Sequence, residues 1–322
     1  MTAETMANNL LTEACANRIS DIYFLPRQNS YRIEAKNSLT TYTVAELDVD
    51  ETFSIMNFLK FNSGLDISER RRSQKGSFNY HYQNHPINVR ISTVGDFLNR
   101  ESLVIRLIYP QDNTSESDLD LLNYLLPTAK QKGMMIFSGP MGSGKTSLMY
   151  ALARKIGQHK KVMCIEDPIE IVEQDFLQLQ VNVEAGMTYE ELIKTSLRHR
   201  PELLIIGEIR DQQTAQQAIR AAICGYTVFT TIHGKSKYSV IQRLKQFGVT
   251  SFEINNAINL ICYQRLIPTD QRLELFADLL DHEEIQKYQQ DEQEDQNWRQ
   301  MLTNAKNNGI ISEEIFEEFQ AG

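Results

Sequence analysis

Gly139-Pro140-Met141-Gly142-Ser143-Gly144-Lys145-Thr146 fits the pattern Gly-x4-Gly-Lys-[Ser/Thr], the P-loop. To its left, Lys132 to Ser138 (KGMMIFS) is a short apolar run of the kind that forms a buried strand. To its right, Thr146 to Ile156 places Leu148, Leu152 and Ile156 on one helical face. Strand, glycine loop and helix together make an anion cradle. The glycines let the backbone curl so that successive N–H groups point inward at phosphate oxygens. The helix N-terminus adds partial positive charge, and Lys145 adds a full one. The Thr146 hydroxyl is placed to ligate the Mg2+ that travels with a nucleotide, and Ser147 closes the segment expected to touch it.

Downstream, strands and helices alternate. Lys161 to Glu166 is a strand that ends in carboxylates, Glu166, Asp167 and, past Pro168, Glu170. Thr188-Tyr189-Glu190-Glu191 has capping-box spacing and opens a helix to about His199. Leu203 to Glu208 is an aliphatic run ending in one acid, a helix from about Gln212 to Cys224 stops at Gly225, and Tyr226 to Ile232 is a strand ending at His233. This alternation predicts a mainly parallel sheet, an α/β domain over 121–269, with ligands outside the C-terminal ends of its strands. The P-loop, the acids of 166–170, Glu208 and His233 all fall at such ends.

Ahead of it, about a hundred residues read as a smaller α+β domain, 1–110. It has a helix over Thr2–Ala16, alternating strands near 19–26, 31–35, 77–82, 87–92 and 102–108, and a helix over Thr52–Lys60. Arg90 and Arg106 lie on two of those strands, and Glu69-Arg70-Arg71-Arg72 is a basic cluster. The polar stretch 111–120 reads as a linker. From Asp270 to Gly322 the chain is an acidic tail, net −10, expected to be helical or disordered; the overall charge of −9 leaves the body near neutral. That balance lacks the basic footprint of a dedicated nucleic-acid-binding domain. No apolar run approaches a membrane span, Met1 to Asn9 carries no basic residue, and Cys15, Cys164, Cys224 and Cys262 stand singly, so a reducing cytoplasmic setting without disulfides or a zinc knuckle is expected.

Splitting a nucleotide's terminal phosphate needs charge neutralisation, a held metal and a group that activates water. Lys145 and the loop amides supply the first, while Thr146 and Glu208 begin the metal shell. Gly207 stands where a strand of this kind usually carries an Asp. One of Glu166, Asp167 and Glu170 is the candidate general base, and His233 senses the phosphate or organises the acidic loop.

The motifs resemble those of the secretion ATPase superfamily, which drives type II secretion and type IV pili. The resemblance rests on the P-loop, CIEDPIE at 164–170, LLIIGEIRD at 203–211 and TVFTTIH at 227–233, in that order. In the first domain SDIYFLP (20–26), RISTVGD (90–96) and ESLVIRL (101–107) agree; SERRRSQKGS (68–77), LRHRPELLIIGEIRD (197–211) and CYQRLIP (262–268) are most similar to assembly ATPases of Gram-positive competence pili. The resemblance implies a RecA-like P-loop NTPase domain preceded by a PAS-like α+β domain. It implies Glu170 as general base, Glu208 holding Mg2+ through water, and His233 as the His-box residue. Arg90 and Arg106 would reach the γ-phosphate, and Arg210 would couple neighbouring subunits. It further implies an ATP-driven homo-hexamer that pushes a polytopic membrane platform protein and associates peripherally with the membrane through it. No four-cysteine module lies between His233 and the C-terminus, so no zinc is expected. A pilus-retraction motor and a RecA-like nucleic-acid translocase share the chemistry; the second would be stimulated by added DNA or RNA and weakened steeply by salt.

Overall fold

Residues 2–37, 40–83, 85–109, 116–183, 185–269, 272–291 and 296–321 are described by a computed structural model. The chain forms two units, Met1–Asp112 and Asn113–Gly322.

In the first unit, helix α1 (Ala3–Ala16) begins where the Thr2 side chain accepts from the Thr5 N–H. Strands β1 (Asp21–Pro26), β2 (Ser30–Lys36) and β3 (Thr41–Asp48) follow, then helix α2 (Val49–Asn62), capped by Asp48, and strands β4 (Gln74–Tyr82), β5 (His85–Gly95) and β6 (Glu101–Ile108). The sheet order is β3-β2-β1-β6-β5-β4, antiparallel throughout. Strict alternation drives it: Ile87, Val89 and Ile91 on β5 and Leu103, Ile105 and Leu107 on β6 are buried in one core with Leu11, Met56 and Leu59 of the helices. Within that core the Lys60 ammonium donates to Glu101 at 2.7 Å and to the Glu69 carbonyl at 2.7 Å, which ties α2 to the basic cluster. Arg70 of that cluster stacks over the Phe53 ring and Arg72 pairs with Glu69. Strand β3 has no counterpart in the sequence reading.

The second unit opens with helix α3 (Glu116–Ala129), which starts inside the expected linker; 110–115 lie outside the described residues. There follow β7 (Gly133–Ser138), α4 (Lys145–Ile156), β8 (Val162–Glu166), β9 (Leu177–Gln180), α5 (Tyr189–Arg198), β10 (Leu203–Ile206), α6 (Gln212–Ile223) and β11 (Thr227–Ile232). Beyond them come α7 (Lys237–Gln246), α8 (Ser251–Ala257), β12 (Ile258–Pro268) and β13 (Leu273–Asp281). The sheet runs β13-β12-β7-β11-β10-β8-β9, parallel except for the β12–β13 pair. Because β7, β8, β10 and β11 are buried on both faces they read as unbroken apolar runs. Met134 and Ile136 pack with the α5–α8 side, while Met135 and Phe137 pack with α3 and α4.

The tail corrects the sequence reading. Its first part is strand β13, paired along its whole length with β12. Helices α9 (His282–Asp291), α10 (Asn297–Asn307) and α11 (Glu313–Phe319) then follow, and α10 and α11 build a small core around Ile267 with Leu302, Phe316 and Phe319. A net acidic composition hid enough apolar positions to extend the sheet. Among the described residues, no helix is long and apolar enough to cross a membrane, and all four cysteines are free thiols.

Candidate active site

Six buried residues of β7 deliver the chain to Gly139, whose φ of +145° begins the curl of the loop. A β-carbon there would lie 2.2 Å from the Gln264 carbonyl oxygen, so only glycine fits. Gly144, at φ +81°, turns the chain into α4 and leaves the first-turn amides uncapped by any side chain. From beneath, the Gln264 amide donates to the Ser143 carbonyl at 2.9 Å, fixing the loop to β12. The hydroxyl oxygens of Ser138 and Ser143 are buried without a hydrogen-bond partner, and Met141 is exposed at the rim.

Lys145 is 8% exposed, and its ammonium donates to the carbonyls of Gly139 (3.0 Å) and Pro140 (2.7 Å). Burial pulls its pKa below the ordinary 10.5, and the negative charges of Glu208 and Glu170 oppose that pull. Both carboxylates expected from the sequence therefore act on the cradle's lysine. Thr146 and Ser147 occupy the first turn of α4, both half-buried.

Glu208 lies two residues past the end of β10, between the side chains of Arg210 and His233. Its carboxylate accepts from Arg210 Nε at 2.7 Å and lies 3.2 Å from His233 Nε2. His233 Nδ1 in turn faces the Gly139 carbonyl at 3.2 Å, where it can only donate. A continuous path thus runs Arg210–Glu208–His233–Gly139, from the end of β10 through the end of β11 to the phosphate cradle. Thr231 supports it by donating to the Gly207 carbonyl at 2.7 Å.

The acids of the 164–170 stretch separate in space. Asp167 and Glu170 are exposed, whereas Glu166 is buried and accepts a hydrogen bond from the Tyr150 hydroxyl. Gly207 explains itself here: a β-carbon at that position would stand 2.8 Å from Glu166 Cγ. The missing Asp leaves space for the neighbouring strand's Glu.

In the first unit Arg90 and Arg106 are cross-strand partners on the face away from the core, and Arg106 Nε donates to Asp21 at 2.8 Å. Like charges directly opposite one another are unfavourable, and buried Asp21, the next residue in the same row, offsets them.

Tyr150, Gln178 and Gln264 were missed by sequence reasoning. Tyr150 and Gln178 carry no motif of their own. Gln264 lies in CYQRLIP, a stretch noted for its likeness but given no role.

A family model described as "Type II/IV secretion system protein" matches residues 2–311. The competence protein ComGA of Streptococcus pneumoniae is 41% identical over 264 residues, spanning 82% of this chain and 84% of that protein. ComGA of Bacillus subtilis is 36% identical over 275 residues, spanning 82% of this chain and 76% of that one. Among solved structures, the Legionella pneumophila ATPase DotB superposes with a TM-score of 0.80 at 20% identity, covering 100% of this chain and 96% of its own. The pilus retraction motor PilT with bound ADP gives 0.70 at 20% identity, with 98% and 96% covered. These two likenesses show the fold: a RecA-like P-loop NTPase domain with a smaller α+β domain before it. Matched almost from end to end, the chain belongs to the type II/IV secretion system protein family and is a P-loop ATPase of that family.

Proposed function

We propose that this ATPase is the motor that powers assembly of a type IV-like competence pilus for DNA uptake, working as a homo-hexamer on a polytopic membrane platform protein from the cytoplasmic side. The observation that carries the chemistry is the convergence on one cradle of Lys145, Glu170, Glu208 and His233. The likeness to ComGA over most of both chains supports the biological role.

In this reading the loop amides and Lys145 hold the β- and γ-phosphates. The unpartnered Ser138 and Ser143 hydroxyls and the oxygen donors Thr146 and Glu208 fit a nucleotide carrying Mg2+. Hard oxygen ligands suit that ion, and among the described residues no cluster of three or more His, Cys, Asp or Glu forms a cage of its own. When bound, Mg2+ neutralises charge between the phosphates. Glu170, exposed beside Lys145, takes a proton from water as the water oxygen bonds to the γ-phosphorus and the bond to the ADP oxygen breaks. His233 links Glu208 to the loop carbonyl and so senses whether the cradle is filled. Arg90 and Arg106 stabilise the charge on the transferred phosphoryl group, Arg210 passes the state of Glu208 to a neighbouring subunit, and the antiparallel sheet of the first unit, with β1 at its centre, supports a PAS-like reading.

The test is turnover and binding of a fluorescent ADP analogue. Lys145→Ala should abolish binding, whereas Glu170→Gln should bind normally and lose on the order of 10²-fold or more in turnover. Arg90→Ala and Arg106→Ala should also keep binding and lose on the order of 10³-fold. Normal hydrolysis by Glu170→Gln would remove it as the base. Deleting the gene in a piliated, transformable host should abolish pili and DNA uptake together. Pili that persist or accumulate would instead indicate a retraction motor.

A further inference from the structure

The chain leaves the sheet at Glu166, the last residue of β8, and returns at Leu177, the first of β9. Glu170 rides on this excursion, so its aim depends on what holds the excursion's two stems. Both are held by helix α4. The Tyr150 hydroxyl, fully buried, donates to Glu166 Oε1 and accepts from Gln178 Nε2 at 3.0 Å. Gln178 also donates to the Ile171 carbonyl at 2.7 Å and accepts from the Glu173 N–H at 2.8 Å. One turn further along α4, Arg154 pairs with Glu173. The residue next to Glu170 therefore has its backbone clasped by a side chain that is itself clasped by Tyr150. The same short helix carries Lys145 and Thr146.

We propose that Tyr150 is a positioning residue for hydrolysis: its hydroxyl staples the stems of the 166–177 excursion to the P-loop helix and thereby holds Glu170 at a fixed place relative to Lys145. Burial raises the phenol's pKa far above its usual value, so the hydroxyl stays a donor at every working pH. Gly207 belongs to the same device, because its missing side chain lets Glu166 lie within reach of that hydroxyl. On this account Glu166 is an anchor, and the general base lies further along the loop. The inference rests on the reading of Glu170 as that base.

The experiment compares the full chain with Tyr150→Phe, Glu166→Gln and Glu170→Gln. Its readouts are kcat, KM for ATP, binding of a fluorescent ADP analogue, and amide hydrogen exchange of residues 167–175. Tyr150→Phe keeps the ring and removes the staple. It should speed exchange in 167–175 and lower kcat on the order of 10²-fold, the cost of a misplaced catalytic group, with KM and ADP affinity within about twofold of the parent. Glu166→Gln still offers an oxygen to the hydroxyl and should lose clearly less turnover than Tyr150→Phe. Unchanged exchange in Tyr150→Phe overturns the proposal whatever turnover does. So does a joint loss of ADP binding and kcat, which would mean general structural damage. A Glu166→Gln variant as slow as Glu170→Gln overturns it as well, by giving Glu166 a direct part in the reaction. If Tyr150→Phe exchanges faster and Glu170→Gln alone turns over normally, the assignment of Glu170 fails while the staple stands as a structural fact.

Discussion

Lys145 is the residue on which the site's pH response turns. Its pKa is lowered from 10.5 by burial, and a bound polyphosphate would restore the charged form. Between the lowered value and 10.5, binding must therefore draw a proton onto the ammonium. Affinity for ADP should fall as pH rises through that window, beginning before 10.5 is reached; a flat affinity profile from pH 7.5 to 10.5 would contradict this. Gly207 makes a second prediction at this scale. Alanine there would press on Glu166 Cγ at 2.8 Å, costing about 1–3 kcal/mol of overpacking and dislodging Glu166 from Tyr150. Chemical denaturation and turnover of Gly207→Ala should both fall. Strand-end acids are legible in a sequence because an aliphatic run announces the strand and its last residue announces the edge. The partner of Glu166 is not: Tyr150 shares α4 with the apolar positions Leu148, Leu152 and Ile156, and nothing in the helical period separates a hydroxyl with a job from a buried ring.

Among elements, the legible ones were those whose burial pattern is complete. Strands β7, β8, β10 and β11 are buried at every residue, and β5 and β6 alternate cleanly along most of their length. Strand β3 is exposed at its first four positions, β9 has only four residues, and β13 is half-buried and acidic; none carries a period strong enough to read. Yet β13 is not an appendage. The Lys237 ammonium at the start of α7, fully buried, donates to Asp278 of β13 and to the Leu279 carbonyl, both at 3.0 Å. Removing the carboxylate strands a charge in the interior, so Asp278→Ala should destabilise the second unit by about 3–5 kcal/mol, read as a lower urea midpoint.

For the whole molecule the charge balance decides between motor classes. The body is near neutral and the excess negative charge sits in the last fifty-odd residues. Such a surface gives single-stranded DNA little to release counterions against, so turnover with added DNA should match turnover without it, at low and at moderate salt alike. A several-fold stimulation that vanishes with salt would point to a translocase. Division into two units was legible from the change between alternating strands and a βα alternation, although the helix that opens the second unit begins within the polar stretch read as linker.

The Lys237–Asp278 pair has a consequence for heredity. Its two members stand forty-one positions apart in the sequence. Missense lesions at Asp278, in the last sixth of the gene, should therefore produce the same phenotype as lesions at Lys237.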